Sequence, residues 1–333
     1  AGRVRIDNTH SEYEGKLYAS SSNTLTDGST QGHYTVNNGQ YSQTYADVLV
    51  NINKRIQDFT IVANIGASYS GVTSKELGYA GPIRETGIPN LFNVYDLDNA
   101  KKRATQVGWR EATESVFASA EVGWKSMLYL TVTGRNDWAS QLTHSPQASF
   151  FYPSVSAGWI LTELEPLKND IVNYAKIRAS YAEVGQAGDY YENYYYKPSY
   201  GGGFYMLDPI AYPVNGMGAF VPYPTIYDPN LKPQNTRSYE LGADLNFFNN
   251  IVTVNYTFSR QNVTDQIFGV PLAGSTGASE MLTNGGKIHT NAHELTVNVN
   301  PIRLKNVDWN VGFNWTKIDN YVDELAPGVE SIF

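Results

Sequence analysis

Cysteine is missing from all 333 residues, which excludes a disulfide framework and thiolate chemistry. Charge is scarce as well: Asp, Glu, Lys and Arg make up 17% of the chain, and 24 cations against 32 anions leave a formal net charge of −8. The cations form no cluster, so the concentrated positive charge that binds phosphate backbones is lacking and no nucleic-acid partner is expected. No run of about 18 apolar residues occurs, which excludes a membrane-spanning helix. There is neither a G-x-S-x-G nucleophile elbow nor a phosphate-cradling P-loop. The chain opens without an initiating Met or a signal peptide, and the expectation is that it starts at a processed or internal position.

What is abundant points to strands. Tyr 25 and Gly 29, with aromatics at 13%, fit β structure better than a helical enzyme or a disordered tail. Ten stretches alternate apolar and polar residues with period two, at about 45–53, 59–69, 114–124, 127–135, 154–161, 175–183, 237–247, 251–261, 289–299 and 309–318. In one, Leu128, Leu130 and Val132 interleave with Tyr129, Thr131, Thr133 and Arg135; in another, Val252, Val254, Tyr256 and Phe258 interleave with Thr253, Asn255, Thr257 and Ser259. Residues two apart share a face of a pleated strand, so each stretch has an oily side and a wet side, and such strands are about the right length, roughly 9 to 11 residues, to cross a bilayer at a tilt. A polar mean hydropathy of −0.37 is compatible with this, because only every second strand residue meets lipid while loops and lumen are polar.

The connections alternate short and long. Short turns are expected in the periplasm and long loops outside, which leaves 70–112, 138–150, 184–236 and 262–288 extracellular. Asn249 and Asn250 suit a left-handed turn between strands seven and eight. The pattern predicts an all-β fold, a transmembrane antiparallel up-and-down β-barrel: residues 1–44 an extracellular loop or edge region, 45–318 ten strands with their loops, and 319–333 the start of a further extracellular loop. Trp124, Trp159, Trp309 and Trp315 lie near strand ends, where amphipathic rings favour the headgroup layer. Ten strands left open would expose two unpaired edges to lipid, so this portion is expected to belong to a larger polypeptide and not to fold or transport alone. A soluble β-sandwich would bury the same faces and is the alternative architecture.

No constellation argues for catalysis, and no catalytic, cofactor or metal residue is expected. His289 and His293 are four apart on a strand and share a face, but two ligands do not make a metal site; they read as polar residues lining the lumen. Asp96, Asp98 and Asn99 lack the glycine and closing glutamate of a calcium loop and read as a surface turn. Glu121, Arg135, Arg178, Glu240, Asp244 and Glu294 fall on the wet side of their strands and are the candidate lumen lining. The loop carrying Tyr190, Tyr191, Tyr194, Tyr195, Tyr196, Tyr200 and Tyr205 is the best candidate for contact with a sugar, a peptide or a protein lid, since tyrosines offer large rigid faces with a polar tip. Packing of that loop on its neighbours is the plainer alternative.

Several phrases resemble the SusC/RagA family of TonB-dependent outer-membrane transporters. Arg135-Asn136-Asp137-Trp138 and Phe151-Tyr152-Pro153-Ser154-Val155-Ser156-Ala157-Gly158-Trp159 are similar to its R-x-D-x-S…F-x-P-S-x-S-x-x-W stretch. Lys176-Ile177-Arg178-Ala179-Ser180-Tyr181 with Val184-Gly185, and Leu231-Lys232-Pro233 with Ser238-Tyr239-Glu240-Leu241-Gly242 and Phe247-Phe248-Asn249-Asn250, resemble two further segments. Thr264-Asp265, Val270-Pro271 and 284–294 follow in the family's order, with Ala292 and His293 departing from its usual Gly and neighbour. The resemblance implies a plugged barrel of about 22 strands, a SusD-like surface lipoprotein as lid, TonB as energy source through a plug-bearing N-terminal region outside this chain, and oligosaccharides or peptides as substrate. A passive porin or surface adhesin barrel is the competing class.

Overall fold

The computed structural model describes residues 1–143, 145–167, 169–188, 196–199, 201–202 and 210–325. Seven strands, β1 (Gly2–Tyr18), β2 (Gly32–Ile56), β3 (Phe59–Pro82), β4 (Arg103–Trp124), β5 (Leu128–Ala139), β6 (Ser149–Ile160) and β7 (Val172–Gln186), pair antiparallel with their sequence neighbours. A long connection holds the short strands β8 (Tyr196–Ser199), β9 (Gly201–Gly202), β10 (Ile210–Ala211), β11 (Ala219–Pro222) and β12 (Thr225–Tyr227). The meander then resumes with β13 (Gln234–Phe247) against β7, followed by β14 (Val252–Pro271), β15 (Glu280–Leu304) and β16 (Val307–Glu324). The result is an up-and-down barrel wall.

Register shows why the pattern is one surface. Residues directly opposite on paired strands share a face. Val48, Ala67 and Val116 are consecutive partners across β2, β3 and β4. Phe59, Trp124, Leu128, Trp159 and Ile177 do the same from β3 to β7, and Leu245, Val254, Val297 and Phe313 from β13 to β16. The apolar sides merge into a belt whose large side chains, among them Val48, Ile65, Leu130, Leu241 and Phe313, are exposed. A contiguous exposed apolar band of this extent belongs in lipid. Phe59 and Tyr69, and likewise Leu128 and Trp138, lie ten positions apart on that face. At about 3.3 Å per residue and a tilt of about 45°, that is a rise of about 23 Å, close to the apolar height of an outer-membrane barrel.

The short turns are tight and left-handed. Gln57 (φ 53°) follows β2, Lys125 and Ser126 (φ 50° and 56°) follow β4, and Asn249 and Asn250 (φ 54° and 63°) follow β13, the last as the Asn pair predicts. At the opposite ends the strands overshoot the belt. Gly2–Tyr18 is a full strand paired with β2 at one edge of the sheet, and β2 begins at Gly32, so of the expected loop or edge region most of residues 1–44 is edge sheet and not loop. Likewise β3 and β4 reach Pro82 and Arg103 inside the stretch read as loop, and β16 continues to Glu324 beyond residue 319. Both faces of these extensions are wetted outside the bilayer, so the alternation that marks a strand in lipid fades although backbone pairing continues.

Two connections, 19–31 and 83–102, build a small extracellular core around Thr26, Ile83 and Leu97, all fully buried. The Ser29 hydroxyl donates to the Ile83 carbonyl at 2.6 Å, and Asn90 accepts from the Ala19 amide at 2.7 Å. The Thr30 amide and hydroxyl donate to Glu85 and hold its carboxyl below the usual range. Arg84 and Asn93 do the same for Asp96. On the far side of the sheet, β12 pairs parallel with Glu280–Leu282 of β15, and Asn284 both accepts from the Lys232 amide (2.6 Å) and donates to the Lys232 carbonyl (2.8 Å). Ser145, in the β5–β6 connection, donates to the Leu231 carbonyl. Segment 224–232 is thereby fastened at once to β15 and to a loop several strands away.

Candidate functional site

The wet side of the sheet is ordered in rows. Glu121, Thr131, Ser156, Ser180, Glu240 and Ser259 are successive register partners from β4 to β14. The next row carries Gly123, Tyr129, Gly158, Arg178, Gly242, Thr257 and Glu294, and the one after it Lys176, Asp244, Asn255 and Thr296. All six candidate lining residues, Glu121, Arg135, Arg178, Glu240, Asp244 and Glu294, therefore face away from the apolar belt. Small hydroxyl side chains between them leave two adjoining grooves, of about 440 and 470 Å³, that share Arg178, Ser180 and Glu240.

Arg178 sits in its row between two glycines for a steric reason. Its side chain lies across Gly242 and donates to the Thr257 hydroxyl one strand further. A Cβ on Gly242 would stand 2.1 Å from the Arg178 Nε, a separation that no side chain tolerates. Nε itself is buried without a hydrogen-bond partner. Gly242→Val in the full-length protein is expected to expel the guanidinium and lower unfolding stability in detergent by about 1–3 kcal/mol, as overpacking does. Adding Arg178→Ala should recover most of that loss; an undiminished loss in the double variant would show that the collision lies elsewhere.

The carboxylates are under-compensated. Glu121 accepts from the Thr131 hydroxyl at 3.2 Å and Asp244 accepts from the Asn255 amide. Glu121, Glu240 and Glu294 have no ion-pair partner among the described residues. Nearer the outer mouth the charges are matched. The Arg135 Nε donates to Asp137 at 2.7 Å, its Nη2 donates to the Ser115 hydroxyl at 2.8 Å, and the Tyr152 hydroxyl donates to the other Asp137 oxygen. The guanidinium also lies over the Phe117 ring, 5.8 Å from its centroid. Sequence reasoning found Arg135 by its face but not Tyr152 or Phe117, its register partners on the two neighbouring strands, whose polarity gives no hint of the contact.

The remaining predicted positions separate. Trp124 ends β4 and Trp159 is next to last in β6, both at the periplasmic end of the belt; Trp309 is near the start of β16. Trp315 is six positions further up that strand, away from its end. Trp138 and Phe151, not singled out by the sequence, stand on the belt's outer edge. His289 and His293 share the parity of Leu295, so they project from the lipid-facing side and not into the lumen; their polarity suggested the wrong face, and their spacing from Leu295 gives the right one. Asp98 lies in a surface turn and accepts from the Ala100 amide at 2.8 Å, whereas Asp96, read from the sequence as part of the same turn, is buried against the extracellular core where Arg84 and Asn93 bind its carboxylate. No group of three potential metal ligands occurs among the described residues. Tyr190, Tyr191, Tyr194, Tyr195, Tyr200 and Tyr205 lie outside the described residues, as does the side chain of Tyr196, whose backbone pairs with Pro222.

Comparison with known proteins matches this architecture. The family described as TonB dependent receptor-like, beta-barrel, aligns with residues 3–329. A TonB-dependent receptor of Formosa agariphila is 27% identical over 240 residues, 71% of this chain and 21% of that protein. The TonB-dependent receptor SusC of Bacteroides thetaiotaomicron is 24% identical over 238 residues, 70% of this chain and 23% of its own length. The RagAB peptide transporter structure superposes with a TM-score of 0.82 at 15% identity, covering 98% of this chain and 35% of the matched one. The chain thus spans about a quarter of the length of the relatives it matches in sequence.

Proposed function

This chain belongs to the TonB-dependent receptor-like β-barrel family of Gram-negative outer membranes, and on that premise we propose that it forms the middle of the barrel wall of a SusC-like importer in a Bacteroidetes-type outer membrane. The observation that carries the reading is the pairing of an uninterrupted lipid belt with an inner face bearing three carboxylates that lack cationic partners among the described residues. A plugged lumen supplies what such a face needs: Glu121, Glu240 and Glu294 would meet cations of the plug, and the hydroxyl rows between them would line the path of a polar solute. TonB pulling on the plug would break those contacts and open the path.

Oligosaccharides or peptides captured under a SusD-like lipoprotein are the proposed cargo. The tyrosine-rich segment, Tyr190 to Tyr205, is assigned to contact with the lid or the cargo, and the fastening of 224–232 to β15 and to Ser145 supports a firm base for the connection that carries it. Uptake of labelled oligosaccharide and peptide pools by cells expressing the full-length protein, with and without TonB, tests the proposal. Uptake that stops without TonB is expected. Uptake that persists without TonB would replace the importer with a passive porin, and no uptake of either class alongside retained surface attachment would favour an adhesin.

A further inference from the structure

The outer edge of the lipid belt differs between the two halves of the sheet. On the lipid-facing side of β2 to β5 the residues at the belt's outer edge include Thr44, Tyr69, Glu114 and Asn136, none of them cationic. On the lipid-facing side of β13 to β16 the outer edge carries Arg237, Arg260, His293 and Lys317, with His289 four residues further out on β15. Register gathers them: Arg260 is flanked by Tyr239 and Asn291, His293 by Phe258 and Lys317, and Asn262 by Arg237 and His289.

Three carboxylates equal the Arg and Lys charges of the patch in number, but none of them pairs with Arg260. Arg237 reaches Glu183 at 3.4 Å, Lys317 reaches Asp319 at 2.8 Å, and the His289 Nδ1 lies 2.7 Å from Asp323. Arg260 has no carboxylate partner among the described residues; its Nε donates to the Asn262 side-chain oxygen at 3.2 Å, and the rest of its fork meets no acceptor among them. The surrounding rings fix the patch. His293 shares a hydrogen bond of 2.9 Å with the Tyr256 hydroxyl and lies 5.0 Å from the Phe258 ring, and His289 stacks on Tyr321 at 4.8 Å. These side chains face neither the lumen nor the hydrocarbon but the layer where headgroups begin, and a planar guanidinium there matches phosphate oxygens two at a time.

We propose that Arg237, Arg260 and Lys317, with His289 and His293, form a binding site for the phosphate-bearing headgroup of an outer-leaflet lipid. The site is independent of cargo and of TonB, so it stands or falls apart from the importer reading.

The test uses the full-length protein in detergent with phosphorylated lipid A disaccharide added, and bound lipid counted by native mass spectrometry. The wild type should retain the lipid, and Arg260→Ala with Lys317→Ala should weaken retention about tenfold or more, the loss expected when charged hydrogen bonds are removed. The swap of Arg260→Lys with Lys317→Arg should keep most of it, and Lys75→Ala, a charge lost on β3, should keep all of it. Heat-modifiable migration confirms that each variant is folded. Equal retention by the double alanine variant would overturn the proposal, as would equal binding of dephosphorylated lipid, which would assign the affinity to acyl chains. Displacement of the lipid by millimolar inorganic phosphate would also overturn it, marking a general anion site instead.

Discussion

Arginine in place of Val132 is expected to keep the full-length protein from assembling in the outer membrane, while arginine in place of Thr131 leaves assembly intact. The two residues are adjacent in β5 and point to opposite faces. Val132 is 49% exposed, near the middle of the stretch from Leu128 to Trp138, with Ala120 and Val155 opposite it on the belt. A guanidinium there must enter hydrocarbon near the midplane, which costs about 2–4 kcal/mol in outer-membrane barrels. That is a large share of the about 5–15 kcal/mol that separates folded from unfolded states. Thr131 faces Glu121, to which its hydroxyl already donates at 3.2 Å, so an arginine at that position gains a carboxylate and stays in polar surroundings. Its effect on stability should lie within about 0.5 kcal/mol, as for substitutions away from packed features. The measurement is the fraction of each variant showing heat-modifiable migration in isolated outer membranes. Equal losses for both variants would mean that the belt is not the lipid face.

Much of this was legible in the sequence because lipid imposes a strict rule. Inside the bilayer every second residue must be apolar, so all ten stretches read from the alternation correspond to long strands and even give the side on which Glu121, Arg178 and Glu294 lie. Where lipid ends, the rule ends. In β1, Val4 and Ile6 still alternate with Arg3 and Arg5, but from Asn8 onward the strand is polar on both faces and looks like a loop. Its pairing with β2 is visible only in the backbone. The histidine pair shows the opposite failure. The position of His293 two residues before Leu295 placed it on the lipid side, yet its polarity argued for the lumen, and position decides because the pleat admits no exception within a regular strand. Contacts across strands were beyond reach altogether. That Gly242 is small because Arg178 lies over it requires the register of β7 with β13, which two distant motifs do not disclose.

Removal of the Asp137 carboxylate is expected to be the most damaging single change on the wet face. Asp137 is only 9% exposed and serves two donors from separate strands, Arg135 within β5 at 2.7 Å and the Tyr152 hydroxyl on β6. In Asp137→Ala both lose their acceptor, and the Arg135 charge remains pinned between the Ser115 hydroxyl and the Phe117 ring. Removing one member of a buried pair costs about 3–5 kcal/mol, because the other is left as an uncompensated charge. Arg135 keeps 39% exposure and can turn toward water, which moves the expectation to the low end, about 3 kcal/mol. Asp137→Asn keeps an acceptor for one donor at a time and should lose less. Arg135→Met with Asp137→Leu removes the charge and its partner together and should recover much of the loss, since an apolar replacement of a buried pair is often neutral. Guanidinium unfolding of the full-length variants in detergent supplies the comparison. If Asp137→Ala unfolds with the wild type, the carboxylate is not holding β5 to β6 at the outer mouth; if the double variant is as weak as the single, what Asp137 supplies is its hydrogen bond to Tyr152 and not the neutralisation of Arg135.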